Sequence, residues 1–317
     1  MYRLFFLGVF ILFVSVCVGQ QKGADVVFWN VENFFAPPGP NNWTWKRFII
    51  KRDAIAKTLA AVGGGELPAV VGLCEVENRF VLEQLVWQTP LASTQYRMVH
   101  RDSPDERGID VALLYRPDRF RILLSRFLTV RLSDTTKHTR EIIYVKGVLD
   151  HLDTLHLFVN HWPSKLGGAK ASMPRRMAAV KRLCVSVDSI FGVHPQANII
   201  IMGDFNDTPL SKVMQSLTQG RALHNLSVPL ARKKLGTIRY RGRWELIDQF
   251  IVSENLLCAE EPVYTSAAHC TIFMAPFLVV RDNKDLGVKP FRTYLGPKYQ
   301  GGVSDHLPVV LRMERRY

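Results

Sequence analysis

Four acidic, amide or imidazole clusters in this chain sit where an apolar run stops, and two more lie within or just before one. In Ile199-Ile200-Ile201-Met202-Gly203-Asp204-Phe205-Asn206-Asp207-Thr208-Pro209, four apolar residues read as a buried strand that ends at a glycine. Asp204 and Asn206 lie two apart, so continued strand geometry would turn both to one side. A carboxylate and a carboxamide there can orient a water or a metal-bound phosphate oxygen. The plainer alternative is an Asx turn closing a loop. Thr208-Pro209 reads as the cap and first position of a helix.

Three other clusters repeat the pattern. Asn30 follows Val26–Trp29, and Glu75 follows the apolar run Pro68 to Cys74. A carboxylate at a strand end costs energy unless it is paired or metal-bound. Thr154 to Val159 leads into Asn160-His161-Trp162-Pro163-Ser164-Lys165, where His161 is either a general acid or a satisfied structural histidine. Asp248 stands between apolar neighbours in Glu245 to Val252 and needs a partner, for which a histidine is the obvious choice. Asp305-His306 precedes the strand Val309-Val310-Leu311. Arg107 can hold a phosphate or pair with a nearby acid. Asp110 opens the strand ending at Tyr115 and is available to orient a histidine.

These positions need a scaffold of alternating strands and helices. Helical spacing predicts helices over Lys46 to Val62, Arg79 to Trp87, Ser172 to Phe191 and Leu210 to Leu217. Further strands are expected over Phe120 to Val130 and Glu141 to Leu149. In the basic helix from Ser172, most of the charges read as a solvated face. Asn225 to Trp244 mixes six Lys and Arg with Tyr240 and Trp244, which suits stacking bases or a solvated loop.

The 317 residues, 47% of them hydrophobic, allow a sizeable core, and no internal repeat is visible. A net charge of +13 favours a polyanionic partner. Residues 1–19 resemble a secretory signal: Arg3, an apolar stretch from Leu4 to Val16, then Gly19. That stretch is short for a membrane span, which takes about 20 residues. The expectation is therefore a signal peptide over 1–19, a single domain over 20–317 and a secreted or periplasmic protein. A retained N-terminal anchor or a lipid anchor is the less favoured reading. No CxxC spacing occurs among the five cysteines, which argues against a zinc site. Cys258 and Cys270 are available to pair.

Trp29-Asn30-Val31, Glu75, Asn160-His161-Trp162, Gly203-Asp204-Phe205-Asn206, Ile247-Asp248-Gln249-Phe250 and Ser304-Asp305-His306-Leu307-Pro308 occur in a fixed order. Together, from about Asp25 to Leu311, they resemble the endonuclease/exonuclease/phosphatase superfamily. The resemblance implies an α/β four-layered sandwich: two mixed, mostly antiparallel sheets packed face to face, with helices outside. It implies hydrolysis of phosphate esters with a divalent cation, Mg2+ first and Mn2+ or Ca2+ as alternatives. By the same resemblance Glu75 is the principal metal ligand, helped by Asn30 and Asp305. Asp204 and Asn206 position water and phosphate. His306, oriented by Asp248, contacts the scissile phosphate, and His161 protonates the leaving oxygen, with Asp110 as its partner. Arg107 and Lys165 are the phosphate-holding candidates. Cys74 stands where many relatives have glutamine. The implied protein is a monomer acting on nucleic acid, most simply as an endonuclease, with no stable protein partner. A phosphatase or phospholipid phosphodiesterase of the same fold is the alternative.

Overall fold

The computed structural model describes residues 23–165 and 167–316, so the expected signal segment 1–19 lies outside the described residues. In chain order the elements are β1 (Ala24–Phe34), α1 (Trp45–Val62), β2 (Val70–Val76), α2 (Arg79–Trp87), β3 (Arg97–His100), β4 (Asp110–Tyr115), β5 (Phe120–Leu128), β6 (Ile142–Leu149), β7 (Asp153–His161), α3 (Ala169–Val193) and β8 (Asn198–Asp204). There follow α4 (Lys212–Thr218), β9 (Leu223–Asn225), α5 (Val228–Arg232), β10 (Ile238–Tyr240), β11 (Arg243–Glu245), β12 (Asp248–Ser253), β13 (Val263–Tyr264), β14 (Cys270–Ile272), β15 (Val279–Arg281), β16 (Val288–Pro290), β17 (Tyr294–Leu295), β18 (Lys298–Tyr299) and β19 (Val309–Arg315).

Two sheets dominate. One runs β13-β19-β1-β2-β4-β3, with β14 also on β19; the other runs β5-β6-β7-β8-β12-β9. Within them β1–β2 and β7–β8 are parallel and the remaining pairs antiparallel. Three buried apolar clusters separate four layers. Phe28, Val70 and Leu113 of the first sheet meet Val145, Leu157, Ile200 and Phe250 of the second. The first sheet's other face, through Val27, Trp29 and Leu73, packs on α1 and α2. The second sheet's other face, through Phe158, Ile199 and Ile201, packs on α3 and α4. The run Ile199 to Met202 is apolar throughout because its period-2 alternation feeds both cores, Ile199 and Ile201 outward, Ile200 and Met202 inward. Burial of this kind contributes about 25 cal/mol per Å² of apolar surface.

Two glycines let the layers close. A Cβ on Gly72 would sit 3.1 Å from Met202, Phe28 and Val159, between the sheets. A Cβ on Gly203 would sit 2.5 Å from the Asn160 Cβ and carbonyl on the neighbouring parallel strand. Helix boundaries match the expected spans to within a few residues, with one correction. Thr208-Pro209 does not cap a helix. Ser211 does, accepting from the Met214 N–H, and α4 starts at Lys212. The expected continuous strand Glu245 to Val252 is broken at Leu246-Ile247 into β11 and β12. Among the described residues no helix is long and apolar enough to cross a membrane.

Candidate active site

Sheet register assembles the site. β7 and β8 are parallel, so their last residues, His161 and Asp204, are partners. β12 is antiparallel to β8 and begins there, so Asp248 faces Asp204 in turn. Two carboxylates and an imidazole thus stand in a row across three adjacent strand ends, all three buried. The segment before β19 brings in His306 from the other sheet. Its Nδ1–H donates to Asp248 Oδ2 at 2.7 Å, which turns Nε2 toward Asp204 Oδ2, 3.9 Å away. Asp248 Oδ2 also accepts from the Thr237 hydroxyl. His161 Nε2 is 3.6 Å from Asp204 Oδ2.

Charge states follow from this packing. Burial, then repulsion from Asp248, pushes the Asp204 carboxyl up to about 7, against the pull of His306, the Asn206 N–H and Asn30. That places a base near neutrality. Burial alone would discharge His306, but contact with Asp248, and then Asp204 and Asp305, raises it well above the usual histidine range. Burial holds His161 well below that range, helped by Arg140, Arg107 and His306. One histidine is therefore cationic and the other neutral.

The oxygen donors approach from the first sheet. Asn30 donates through Nδ2 to Asp204 Oδ2 at 3.1 Å, and its side-chain Oδ1 accepts from the Glu32 N–H. Beyond Asn30 the β1–β2 register slips, with Glu32 and Asn33 at φ 48 and 51. β2 bulges between Cys74 and Val76, with Glu75 at φ 60. Positive φ at a carboxylate-bearing residue costs on the order of 1 kcal/mol or more. Here the bulge re-aims Glu75 out of the sheet. Its Oε2 accepts from the Asn33 N–H at 3.0 Å, and Oε1 lies 3.4 Å from Arg107. Asp305 accepts from Arg292 at 2.9 Å. Ser304 ties this corner to β1 by donating to the Asn30 carbonyl.

Of the two readings of the Asp204 and Asn206 spacing, the Asx turn is the one present: the strand stops at Asp204 and Asn206 has φ 50. The Asn206 N–H donates to Asp204 Oδ1 at 2.9 Å in an Asx turn, and the same turn leaves Asp204 Oδ2 in the site. The Asn206 side chain donates to the Trp162 carbonyl.

A model of the endonuclease/exonuclease/phosphatase family matches residues 29–315, nearly the whole described chain. The chain belongs to this family. As a member it is a phosphoester hydrolase of the metal-dependent kind. No curated protein matches it. Solved structures share the fold at low identity. TDP2 of D. rerio, complexed with a single-strand DNA product, has TM-score 0.60 and 14% identity, covering 92% of this chain and 98% of that one. The human Nocturnin catalytic domain gives 0.59 and 17%, covering 93% and 95%. A family protein from Bacteroides thetaiotaomicron gives 0.60 and 15%, covering 93% and 99%.

Within this family frame, some sequence expectations need correction. Asp110 does not partner His161. Its Oδ2 is 3.2 Å from His100 Nε2 and its Oδ1 accepts from the Ser103 N–H, while His161 Nδ1 is buried without a hydrogen bond. β3 lies directly beside β4, so the near histidine wins. Cys258 and Cys270 are both free, one exposed and one buried. Lys165 sits at the rim, 3.6 Å from Asp207 and 4.0 Å from Glu245. Arg107 reaches Asn33 and Glu75, so it stands at the site but already meets an acid. Arg176 is no part of a solvated face: it is buried against Asp207 and Ser172.

Sequence reading missed a supporting layer. Lys51 is buried on α1 and donates to the Glu32 carbonyl and the Thr293 hydroxyl. Burial lowers it to about 8 despite the nearby Glu32, Asp305 and Glu75. Glu32 in turn accepts from the Thr293 and Tyr294 N–H groups. Arg140 is buried beside His161 and donates to Asp105 and the Trp162 carbonyl. The one available signal was a lysine at a core position of α1: Lys51 lies one turn from both Phe48 and Ile55.

Proposed function

We propose that the protein is a secreted, Mg2+-dependent nuclease that cleaves DNA or RNA phosphodiesters by in-line attack of water. The observation that carries this is the Asp204, Asp248 and His306 cluster, whose ligand-type atoms lie within 4.8 Å of one another, with His161 beside it. Asp204, a carboxylate with a raised pKa held by Asn30 and the Asn206 N–H, takes the proton from the attacking water. His306, kept charged by Asp248, neutralises charge growing on the non-bridging phosphate oxygens. His161 is neutral in the free site; the negative charge of a bound phosphate favours its taking a proton from solvent, and the imidazolium then gives that proton to the leaving oxygen.

The donor set fits a hard divalent cation. Asn30, Glu75 and Asp305 offer amide and carboxylate oxygens, and the bulge at Glu75 turns its carboxylate out of the strand toward Arg107. Those three residues would hold the ion, and Mn2+ or Ca2+ suits the same set. When bound, such an ion polarises the phosphoryl group and lowers the pKa of water. The +13 charge of the chain and the DNA product held by the D. rerio TDP2 structure support a nucleic-acid substrate.

The test offers the mature chain plasmid DNA, RNA, sphingomyelin vesicles and an inositol polyphosphate, with Mg2+ or with chelator. Nicking that needs metal and disappears in His306→Ala supports the nuclease reading. Intact nucleic acid with release from the lipid or inositol substrate moves the protein to the phospholipid or phosphatase branch.

A further inference from the structure

We infer that the seam between α3 and the β5–β6 edge of the second sheet carries a single-stranded stretch of nucleic acid flanking the scissile phosphate. This rests on the nuclease reading and adds where the rest of the substrate lies. Four recesses follow one another along the seam. The first, of about 250 Å³, starts at Arg107, Arg140 and Pro163 beside the catalytic residues and extends to Leu132 and Arg175. The next, of about 570 Å³, is lined by Arg131 and by Ala178, one helical turn beyond Arg175. It shares Arg182 and Val185 with a third, of about 410 Å³. That one shares Lys146, His156 and His194 with the last, of about 530 Å³. From Arg175 to His194 the helix rises roughly 29 Å, room for several phosphates.

The charges along this path are mostly positive. Lys137, Arg131, Lys181, Arg182, Arg126 and Lys146 line it in order. Among the described residues none of the six forms an ion pair, whereas the nearby Arg101, Arg140, Arg176 and Arg221 all do. Of the acids on the path, Asp105 is paired with Arg140, which leaves Glu106 at the mouth and Asp153, held by the Asn198 amide, at the far end. Like charges held around an empty recess repel one another, and a polyanion relieves that cost. The shape selects among polyanions. A planar bilayer cannot enter a recess between a helix and a sheet, and recesses of about 250 to 570 Å³ are small for a stiff duplex. A flexible strand fits, its phosphates on the cations and its bases against exposed Leu124, Val185 and Val193.

The experiment uses the full mature chain and four probes: a small chromogenic phosphodiester, a dinucleotide, a long oligothymidylate and phosphatidylserine vesicles. The variant Arg126→Glu/Lys146→Glu/Arg182→Glu changes residues remote from the catalytic cluster, and Arg126→Gln/Lys146→Gln is the milder form. Hydrolysis of the small ester and the dinucleotide is expected to stay unchanged, which also reports correct folding. Binding of the long strand is expected to weaken about tenfold or more at low salt, and the salt slope to become shallower by about 2, at ~0.7 per lost phosphate contact. Unchanged strand affinity and salt slope in both variants would overturn the seam while leaving the nuclease reading intact. Wild type that cleaves the small ester but neither binds nor cleaves any strand would overturn the nuclease reading itself. Loss of binding to phosphatidylserine vesicles with strand binding unaltered would show the seam to be a lipid surface and overturn the inference.

Discussion

Asp248 touches no substrate in the proposed mechanism, yet two of its contacts set the chemistry. Its Oδ2 fixes the His306 ring and keeps it cationic, and its charge raises Asp204 across the β8–β12 pair. Asp248→Asn is expected to lower kcat on the order of 100-fold or more with little change in KM, because outer partners of this kind orient and charge the groups they hold. The pH profile supplies a second readout. Asp204 acts as a base, so activity is lost as pH falls through its raised pKa, and the acid limb of wild type should lie near 7. Removing the Asp248 charge takes away the stronger of the two opposing charges on Asp204, His306 being the weaker, so the residual activity of the variant should persist to lower pH. An acid limb that stays near 7 would mean Asp204 is not the titrating base.

At the scale of elements, close approach and bulges do the positioning. Gly203 lets β8 run against Asn160 of β7 one residue before Asp204. Gly203→Ala is expected to destabilise the fold by about 1–3 kcal/mol, the usual cost of overpacking, and to cut activity by displacing Asp204; urea unfolding beside kinetics checks both. Lys51 ties α1 to the irregular end of β1 and to Thr293. Lys51→Met leaves the Glu32 carboxylate buried with less compensation, and a loss of about 3 kcal/mol is expected, visible as a lower urea midpoint. How far such features were legible is instructive. Strand ends stood out because four-residue apolar runs stopping at an acid or amide are visible locally, and so Asn30, Glu75, Asp204 and His161 could be named. The partners of these groups were less visible, because pairing depends on register between distant segments. Asp110 went to His100 for that reason, although Asp248 with His306, 58 residues apart, came through the family resemblance. The Glu75 bulge and the cluster of Lys51, Glu32 and Thr293 left no sequence period to read.

Across the whole molecule, one end of the sandwich gathers acids that the remainder of a +13 chain does not. Glu32, Glu75, Asp204, Asp248 and Asp305 converge there, and Glu32 is raised first by burial and then by repulsion from Asp305. Parallel pairs β1–β2 and β7–β8 are the topological cause, because each sends two strands' C-terminal ends to the same edge. Without a divalent ion those carboxylates are balanced, among the described residues, only by Arg107, Arg292, Lys51 and His306, so such an ion should act as a stabiliser that binds the native state alone. At a hundred times its dissociation constant, Mg2+ is expected to add about 2.7 kcal/mol and raise Tm by several degrees, independently of any substrate. Glu75→Gln removes the charge of the proposed principal ligand and should abolish that shift while the metal-free Tm changes little, since relief of repulsion is offset by the lost pairing with Arg107. A full Mg2+ shift in Glu75→Gln would place the ion on other residues. No shift in wild type, with chelator-sensitive activity, would mean that the ion arrives with the phosphate rather than before it.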